Sequence, residues 1–260
     1  MNYTSAPVLR YLFAAFRSTG RPFHIKFRLG LIFLCILILL TPSSQSRAAN
    51  TITGTFELTV EQNGKTDVSS GYLYSSQNGA LKIRVTDPLE QWMIFEGDTL
   101  TIYYPKDNSG IKIPSIQGNV SLPIFQLAIN AGTDNIGLTE IGYGLLKTSV
   151  VGDSIIAIWS PPEETKKIMG NLTSIYIRDS LKSLVSVKAN GDTVLEQTYS
   201  DYISEKGRIF PCRIHSVNID KDLTAIQSII FKDVILGTEL PEEAKALIIP
   251  EDADLTTVQW

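Results

Sequence analysis

The chain of 260 residues carries 23 basic and 27 acidic side chains, and the two signs are unevenly distributed. Six basic and no acidic residues lie in residues 1–48, which leaves 17 basic against 27 acidic residues, a net charge of −10, in residues 49–260. Such a surface repels phosphate backbones and anionic headgroups, which argues against nucleic acid as a partner. About 210 residues suit one large β domain, and no linker or internal repeat divides them.

The first 48 residues have the features of an export signal. A basic flank precedes the apolar run Leu29–Leu40, Thr41-Pro42 ends that run, and Ser46-Arg47-Ala48 supplies small residues at a peptidase site. The run is shorter than the roughly 20 apolar residues that span a bilayer. We therefore predict cleavage near Ala49 and a periplasmic protein. An uncleaved inner-membrane anchor is the alternative.

The first part of residues 49–260 predicts a series of strands. Residues 51–61 alternate apolar and polar side chains, and Asn63-Gly64 follows as a turn. The stretch 71–105 then predicts an antiparallel meander, with strands at 71–75, 81–86, 91–95 and 100–104. Asp87-Pro88 ends one strand, because proline has no N–H for the ladder, and Glu96-Gly97-Asp98 forms a hairpin turn. Residues 110–114 continue the meander as a short edge strand.

Residues 117–148 are too densely apolar for strand alternation. Proline followed by Phe-Gln-Leu-Ala-Ile predicts a short helix over 122–129. Ile141, Leu145 and Leu146 stand at helical spacing and predict a second helix over 137–147.

The remainder of the chain predicts a second meander. Residues 150–161 form a Gly-Asp hairpin and an apolar strand, and strands follow at 172–178, 184–189 and 194–202. Asn190-Gly191-Asp192 is a strong hairpin turn. A further strand covers 207–214, and residues 231–249 contain a terminal strand, a short acidic turn and an apolar run that ends at Pro250.

No pattern of catalytic or metal-binding residues occurs after residue 48. Cys212 and His215 are the only cysteine and histidine there, and three positions apart on a strand they point to opposite faces. Nucleophile elbows, zinc motifs and phosphate loops are absent. We therefore expect a protein that is not an enzyme and that needs no cofactor and no metal.

The motifs of the meander resemble those of the LolA-type family of periplasmic lipoprotein carriers and lipoprotein-sorting proteins. Gln77-Asn78-Gly79 stands where that family has Arg-Pro-Gly, Arg84 and Pro88 follow in order, and Gly97, Leu100 and Tyr103 or Tyr104 match its later hairpin. The segments 207–214 and 231–249 match its later strands, so the likeness covers most of residues 49–260.

The resemblance implies a fold and a lid. We expect an α+β fold, mostly antiparallel, in which a curled, incomplete (half-open) β-barrel has short helices over its concave face. The helices near residue 125 would form the lid, or else be ordinary covering helices. Gln77 would contact the lid as a neutral amide, in place of the family's arginine. Thr101 and Gly237 replace a customary tryptophan and asparagine.

An incomplete barrel of this kind can hold an apolar ligand on its inner face. Apolar residues of the central meander are the candidates for that face, with an ordinary core as the alternative for each. They are Ile83, Val85, Trp92, Ile94, Leu100, Ile102 and Tyr104.

Three functions follow from the sequence. The first is a monomeric carrier or chaperone that binds the acyl chains of lipoproteins, or another lipid, and moves them towards the outer membrane. The resemblance implies that an inner-membrane release complex and an outer-membrane acceptor are its partners. The second is a non-enzymatic envelope sensor or interaction module on the same fold. The third is a hydrolase, for which no motif is present.

Overall fold

The computed structural model describes residues 51–260 apart from 77–79, 98, 115–123, 134, 206, 221–222, 238 and 259–260. The export signal predicted for residues 1–48 lies outside the described residues, as does Gln77, the predicted lid contact. In the described part, no helix is both long enough and apolar enough to cross a bilayer.

Strands dominate the described residues. The strands are β1 Ile52–Gln62, β2 Lys65–Ser75, β3 Leu81–Asp87, β4 Gln91–Glu96, β5 Thr99–Tyr104, β6 Ser109–Ile113, β7 Gly144–Val151, β8 Ser154–Ser160, β9 Met169–Ile177, β10 Ser180–Lys188, β11 Thr193–Glu205, β12 Arg208–Asp220, β13 Leu223–Leu236 and β14 Asp254–Thr257. The helices are α1 Ile124–Asn130 and α2 Glu242–Lys245, and a 3-10 turn covers Pro105–Asp107.

These fourteen strands of the described chain form one sheet, in the order β14-β6-β5-β4-β3-β2-β1-β13-β12-β11-β10-β9-β8-β7. Every neighbouring pair is antiparallel except β14 and β6, which are parallel. The sheet is curled, and its end strands β14 and β7 do not pair with each other. The prediction of a mostly antiparallel, unclosed sheet is confirmed, with more strands than expected.

Local turn chemistry explains the hairpins. Asn63 and Gly64 join β1 to β2 with φ of 53° and 70°, a conformation that asparagine and glycine adopt at low cost. Arg178 and Asp179 join β9 to β10 with φ of 49° and 64°. Because both central residues have positive φ, each turn matches the twist of the strands that it connects.

One large cluster of buried side chains occupies one face of the curled sheet, which we call the inner face. It contains residues of both halves of the sheet, from Ile83 of β3 to Leu184 of β10, together with Phe125 of α1. A smaller cluster of Tyr74, Ala244 and Leu247 occupies the opposite face. Helix α2, where the sequence predicted a short acidic turn, packs on this opposite face.

The predicted helix over 137–147 is wrong. Residues 135–142 form turns, and the edge strand β7 begins at Gly144. The backbone has positive φ at Ile136 (47°), Gly137 (77°) and Gly142 (87°), which no α-helix contains. The helical spacing of Ile141, Leu145 and Leu146 was therefore accidental.

The other predicted elements are found with different bounds. α1 confirms the first predicted helix, although residues 122–123 of the prediction lie outside the described part. The terminal strand begins at Leu223 instead of Phe231, and β14 was not predicted. β3 ends at Asp87, directly before the proline that was expected to end it.

Candidate ligand-binding face

The strand register decides which of the candidate residues share a face. Ile83 pairs with Met93, and Met93 pairs with Ile102, so these three side chains form one row on the inner face. A second row joins Leu81, Phe95 and Leu100, Val85 pairs with Gln91, and Tyr104 lies two residues from Ile102 on the same side of β5. The structure therefore brings five of the seven candidates together: Ile83, Val85, Leu100, Ile102 and Tyr104.

Trp92 and Ile94 do not belong to this face. Each lies one residue out of phase with Met93, so both point to the opposite side of β4. Trp92 packs against the smaller cluster, and its ring centroid lies 5.3 Å from that of Tyr103. The expectation that all seven candidates share one face is corrected for these two.

The apolar part of the inner face is closely packed. Ile83 and Leu100 are 0% exposed and Ile102 is 1% exposed, whereas Val85 keeps 6% of its surface. Tyr104 is half-buried at the margin of the cluster, and burial raises the pKa of its phenol. These side chains line a ligand space only if the residues packed over them move.

Helix α1 packs on the inner face through Phe125, Leu127 and Ala128. The ring of Phe125 lies edge-to-face with Phe56 of β1 at 4.9 Å and with Phe231 of β13 at 6.1 Å. Phe231 also meets Phe210 of β12 at 5.0 Å. Leu127 and Ala128 of α1 are buried in the same cluster, so the apolar side of the helix packs against the middle of the sheet.

The second half of the inner face contains buried polar side chains. Ser174, Gln197 and Ser216 are 0%, 4% and 0% exposed. Leu184 pairs with both Ser174 and Gln197, and Gln197 pairs with Ser216, so they stand in one row across β9 to β12.

Hydrogen bonds connect these polar groups to each other and to aromatic side chains. Trp159 Nε1 donates to Ser174 Oγ at 2.9 Å, and Tyr199 Oη donates to Gln197 Oε1 at 2.8 Å. Gln197 Nε2 donates to Ser216 Oγ at 3.2 Å. Burial, with Tyr202 and Tyr176 nearby, raises the pKa of the Tyr199 phenol well above its usual value.

The opposite face carries a groove of about 580 Å³ between β3–β6 and residues 247–255. Lys82 Nζ donates to the carbonyl oxygens of Ala244 at 3.2 Å and Leu247 at 2.9 Å, which fastens the C-terminal segment to the sheet. The groove is lined by residues that include Ile94, Thr101, Lys112 and Leu255. Ile94 therefore contributes to this groove instead of to the inner face.

Cys212 and His215 lie on opposite faces of β12, as predicted. Cys212 packs against the main cluster, and burial raises the pKa of its thiol. His215 is exposed, and its Nδ1 lies 3.0 Å from Ser228 Oγ. No group of three or more potential metal ligands occurs in the part of the chain that is described.

Comparison with known proteins shows the fold. No protein-family model matches the chain, and no curated protein matches it by sequence. A LolA superfamily protein from Nitrosomonas europaea matches with a TM-score of 0.53 and 14% identity, over 78% of this chain and 91% of that chain. An outer membrane lipoprotein-sorting protein domain from Vibrio parahaemolyticus matches with a TM-score of 0.54 and 10% identity, over 76% of this chain and 89% of that chain. The chain has a LolA-like fold.

A DUF1329 family protein from Desulfovibrio piger matches the LolA-like fold of this chain as well, with a TM-score of 0.55 and 12% identity over 76% of this chain and 90% of that chain. At these identities the likeness concerns the fold alone. The candidate face therefore has to be judged from the side chains of this chain.

Sequence reasoning did not find the polar half of the inner face. The signal was present, because Gln197 lies two residues before the core residue Tyr199 on β11, and Ser216 lies two residues after the core residue Ile214 on β12. A polar residue in phase with core residues faces the core. Because the candidates were chosen by apolar character, this signal was not used.

Proposed function

We propose that the protein is a periplasmic carrier or chaperone that binds acyl chains of lipoproteins, or of another lipid, on its inner face. It moves them towards the outer membrane and catalyses no reaction. The observation that carries the proposal is that the short helix α1, through Phe125 and its buried neighbours, packs on an apolar face of an unclosed sheet. We propose that α1 and the turns after it act as a lid.

The physical requirement for such a carrier is modest. Each buried methylene contributes about 0.8 kcal/mol, so acyl chains do not leave a membrane unless an apolar surface receives them. The rows of Ile83 and Leu100 belong to the same buried cluster as Phe125 of α1, and they provide that surface when the residues packed over them move. The protein acts as a monomer, with an inner-membrane release complex as donor and an outer-membrane acceptor.

The tryptophans provide a direct test, because Trp159 lies on the inner face and Trp92 on the opposite face. In a Trp260→Phe background, each of the other two is replaced by phenylalanine in turn. A brominated acyl chain quenches only tryptophans close to it. We expect quenching to persist in Trp92→Phe and to disappear in Trp159→Phe.

The reverse pattern would place the ligand in the groove on the opposite face and would refute a carrier that uses the inner face. Absence of quenching in every variant would refute lipid binding altogether. Native mass spectrometry of the purified protein complements the test, since a carrier is expected to retain co-purified lipid.

One observation favours the second function, a sensor or interaction module. Among the described residues, the edge strand β7 pairs only with β8, and its Leu145, Leu146, Val150 and Val151 are 56–71% exposed. An exposed apolar edge can accept a strand from another protein. Val150→Lys is expected to abolish such an interaction and to leave acyl-chain binding unchanged.

A further inference from the structure

We propose that the edge strand β7 pairs with β7 of a second copy of the chain, antiparallel and about a two-fold axis at Thr148. This inference goes beyond the proposed function, in which the carrier acts as a monomer. The pair is a second, reversible state of the same protein, and it gives the exposed edge of the sheet a defined partner.

β7 exposes large apolar side chains at an end of the sheet. Leu146 and Val150 are 63% and 71% exposed, and Lys147 is the only charged residue of the strand. β14, the other end strand of the described sheet, has Leu255 as its only large apolar residue, and that side chain is half-buried. Proteins usually protect edge strands with charges or a covering segment, because an apolar edge invites pairing. Among the described residues, β7 pairs only with β8, so its outer edge is open to a further strand.

The sequence of β7 is close to symmetric about Thr148. Its central part reads Leu-Lys-Thr-Ser-Val, with apolar side chains at both ends and polar ones between. A two-fold axis places each residue opposite the residue at the same distance on the other side of the axis. Leu146 therefore faces Val150 of the second copy, Lys147 faces Ser149, and Thr148 faces its own equivalent. Apolar pairs and threonine pairs of this kind stabilise antiparallel strands.

Other positions of the axis are less favourable. Directly opposite side chains of an antiparallel pair share a face of the sheet, so the axis passes through a residue. An axis at Lys147 would place two like charges opposite each other, which is destabilising. An axis at Ser149 would place Lys147 opposite Val151, and an axis nearer either end of the strand would pair fewer residues. Thr148 is the position that pairs apolar with apolar side chains and keeps the two lysines from facing each other.

The register of β7 sets the face on which these pairs lie. The pairing of β7 with β8 shifts just before Lys147 and is regular from there to Val151. Thr148 pairs with Ala157 of β8, which belongs to the main cluster, and Val150 lies two residues further on the same side. The apolar pairs therefore lie on the inner side, and the pairing continues the sheet from one copy into the other.

Analytical ultracentrifugation of the purified protein at rising concentration tests the pairing. We expect a monomer at about 1 µM and a growing dimer fraction towards about 200 µM, because an interface of one strand edge is small and weak. Val150→Lys should weaken the dimer at least about tenfold, since a two-fold interface contains the substitution twice. This variant should still bind the acyl probe.

Cysteine cross-linking tests the position of the axis. In a background in which Cys35 and Cys212 are replaced by serine, Thr148→Cys places two thiols at the axis, and a short reagent with two thiol-reactive groups should join two copies. Val151→Cys is the matched control, because it is exposed on the same strand but lies three residues from the axis. Its two thiols would be about 20 Å apart, so it should not cross-link.

A pair of charge changes tests which residues face each other. Ser149→Lys places a second lysine opposite Lys147 at two places in the dimer and should weaken it. Adding Lys147→Glu converts both contacts to opposite charges and should restore the dimer. Restoration requires that the two residues meet across the interface.

The outcomes separate this inference from the proposed function. A protein that stays monomeric up to about 200 µM would overturn the inference and leave the carrier intact, and it is the result expected if β7 accepts only a strand of another protein. A dimer that forms equally well in Val150→Lys would also overturn the inference, because the two copies would then meet elsewhere. Cross-linking through Val151→Cys and not through Thr148→Cys would refute the axis at Thr148.

Discussion

Replacing Phe125 with alanine tests whether α1 is a lid. The side chain is 7% exposed and contacts two rings, at 4.9 Å and 6.1 Å. Removal of a buried phenylalanine ring costs about 3–5 kcal/mol. If α1 can leave the sheet while the sheet stays folded, this loss destabilises the closed state and not the open one.

The affinity for an acyl probe and the thermal midpoint are both measured on the Phe125→Ala variant. An acyl probe that binds only the open state gains apparent affinity as that state becomes more populated, so we expect Phe125→Ala to bind it at least about 100-fold more tightly. The thermal midpoint should fall by less than the roughly 6–20 °C that a core loss of this size gives in a domain of about 200 residues.

Phe210→Ala is the matched control. Its ring is 0% exposed and meets the same Phe231 ring at 5.0 Å, but it belongs to β12 and not to α1. We expect Phe210→Ala to lower the thermal midpoint by the whole of that roughly 6–20 °C, with no gain in probe affinity. If Phe125→Ala behaves in the same way, α1 is an ordinary part of the core and the lid is refuted.

Three further predictions follow from single contacts. Lys82→Met should speed hydrogen exchange of the Ala244–Leu247 amides, because two hydrogen bonds from a charged group are lost, and should cost about 1–3 kcal/mol in the free energy of unfolding. The folded-state pKa of Tyr199 is raised, so its contribution to stability should be constant below pH about 10 and be lost above it, and urea midpoints from pH about 8 upwards check this. Cys212→Ser and His215→Ala should each retain biological activity; loss of activity in a folded variant would favour an enzyme over a carrier.

Local signals account for the parts of the fold that the sequence predicts. The turns at Asn63-Gly64 and Asn190-Gly191 and the proline after Asp87 act within a few residues, so the hairpins could be found. The spacing that suggested a helix at 137–147 was also local, but Gly137 and Gly142 adopt positive φ there. Glycine permits this conformation without requiring it, which is why the sequence did not exclude the helix.

The orientation of β4 shows where local reasoning ends. Trp92, Met93, Ile94 and Phe95 are all apolar, so alternation does not indicate which set faces the core. Both faces of this strand are covered, one by the main cluster and the other by the segment around Leu247. That segment lies more than 150 residues later in the chain. Only the tertiary structure could assign Ile94 to the groove and Ile102 to the inner face.

The packed inner face sets a threshold for cargo. A ligand that displaces α1 gives up the roughly 3–5 kcal/mol held by Phe125, and each methylene that it buries returns about 0.8 kcal/mol. About four to six methylenes are therefore needed to offset the Phe125 contact alone, and more are needed for Leu127 and Ala128, which leave the core with it. Each further methylene should tighten binding about fourfold. Fatty acids of increasing length, measured against the same probe, should show no binding for the shortest chains and then this steady gain. In Phe125→Ala the threshold should fall while the gain per methylene stays the same, because the helix contact is lost and the apolar rows are intact. Affinity that does not depend on chain length would mean that the acyl chain is not what the inner face binds.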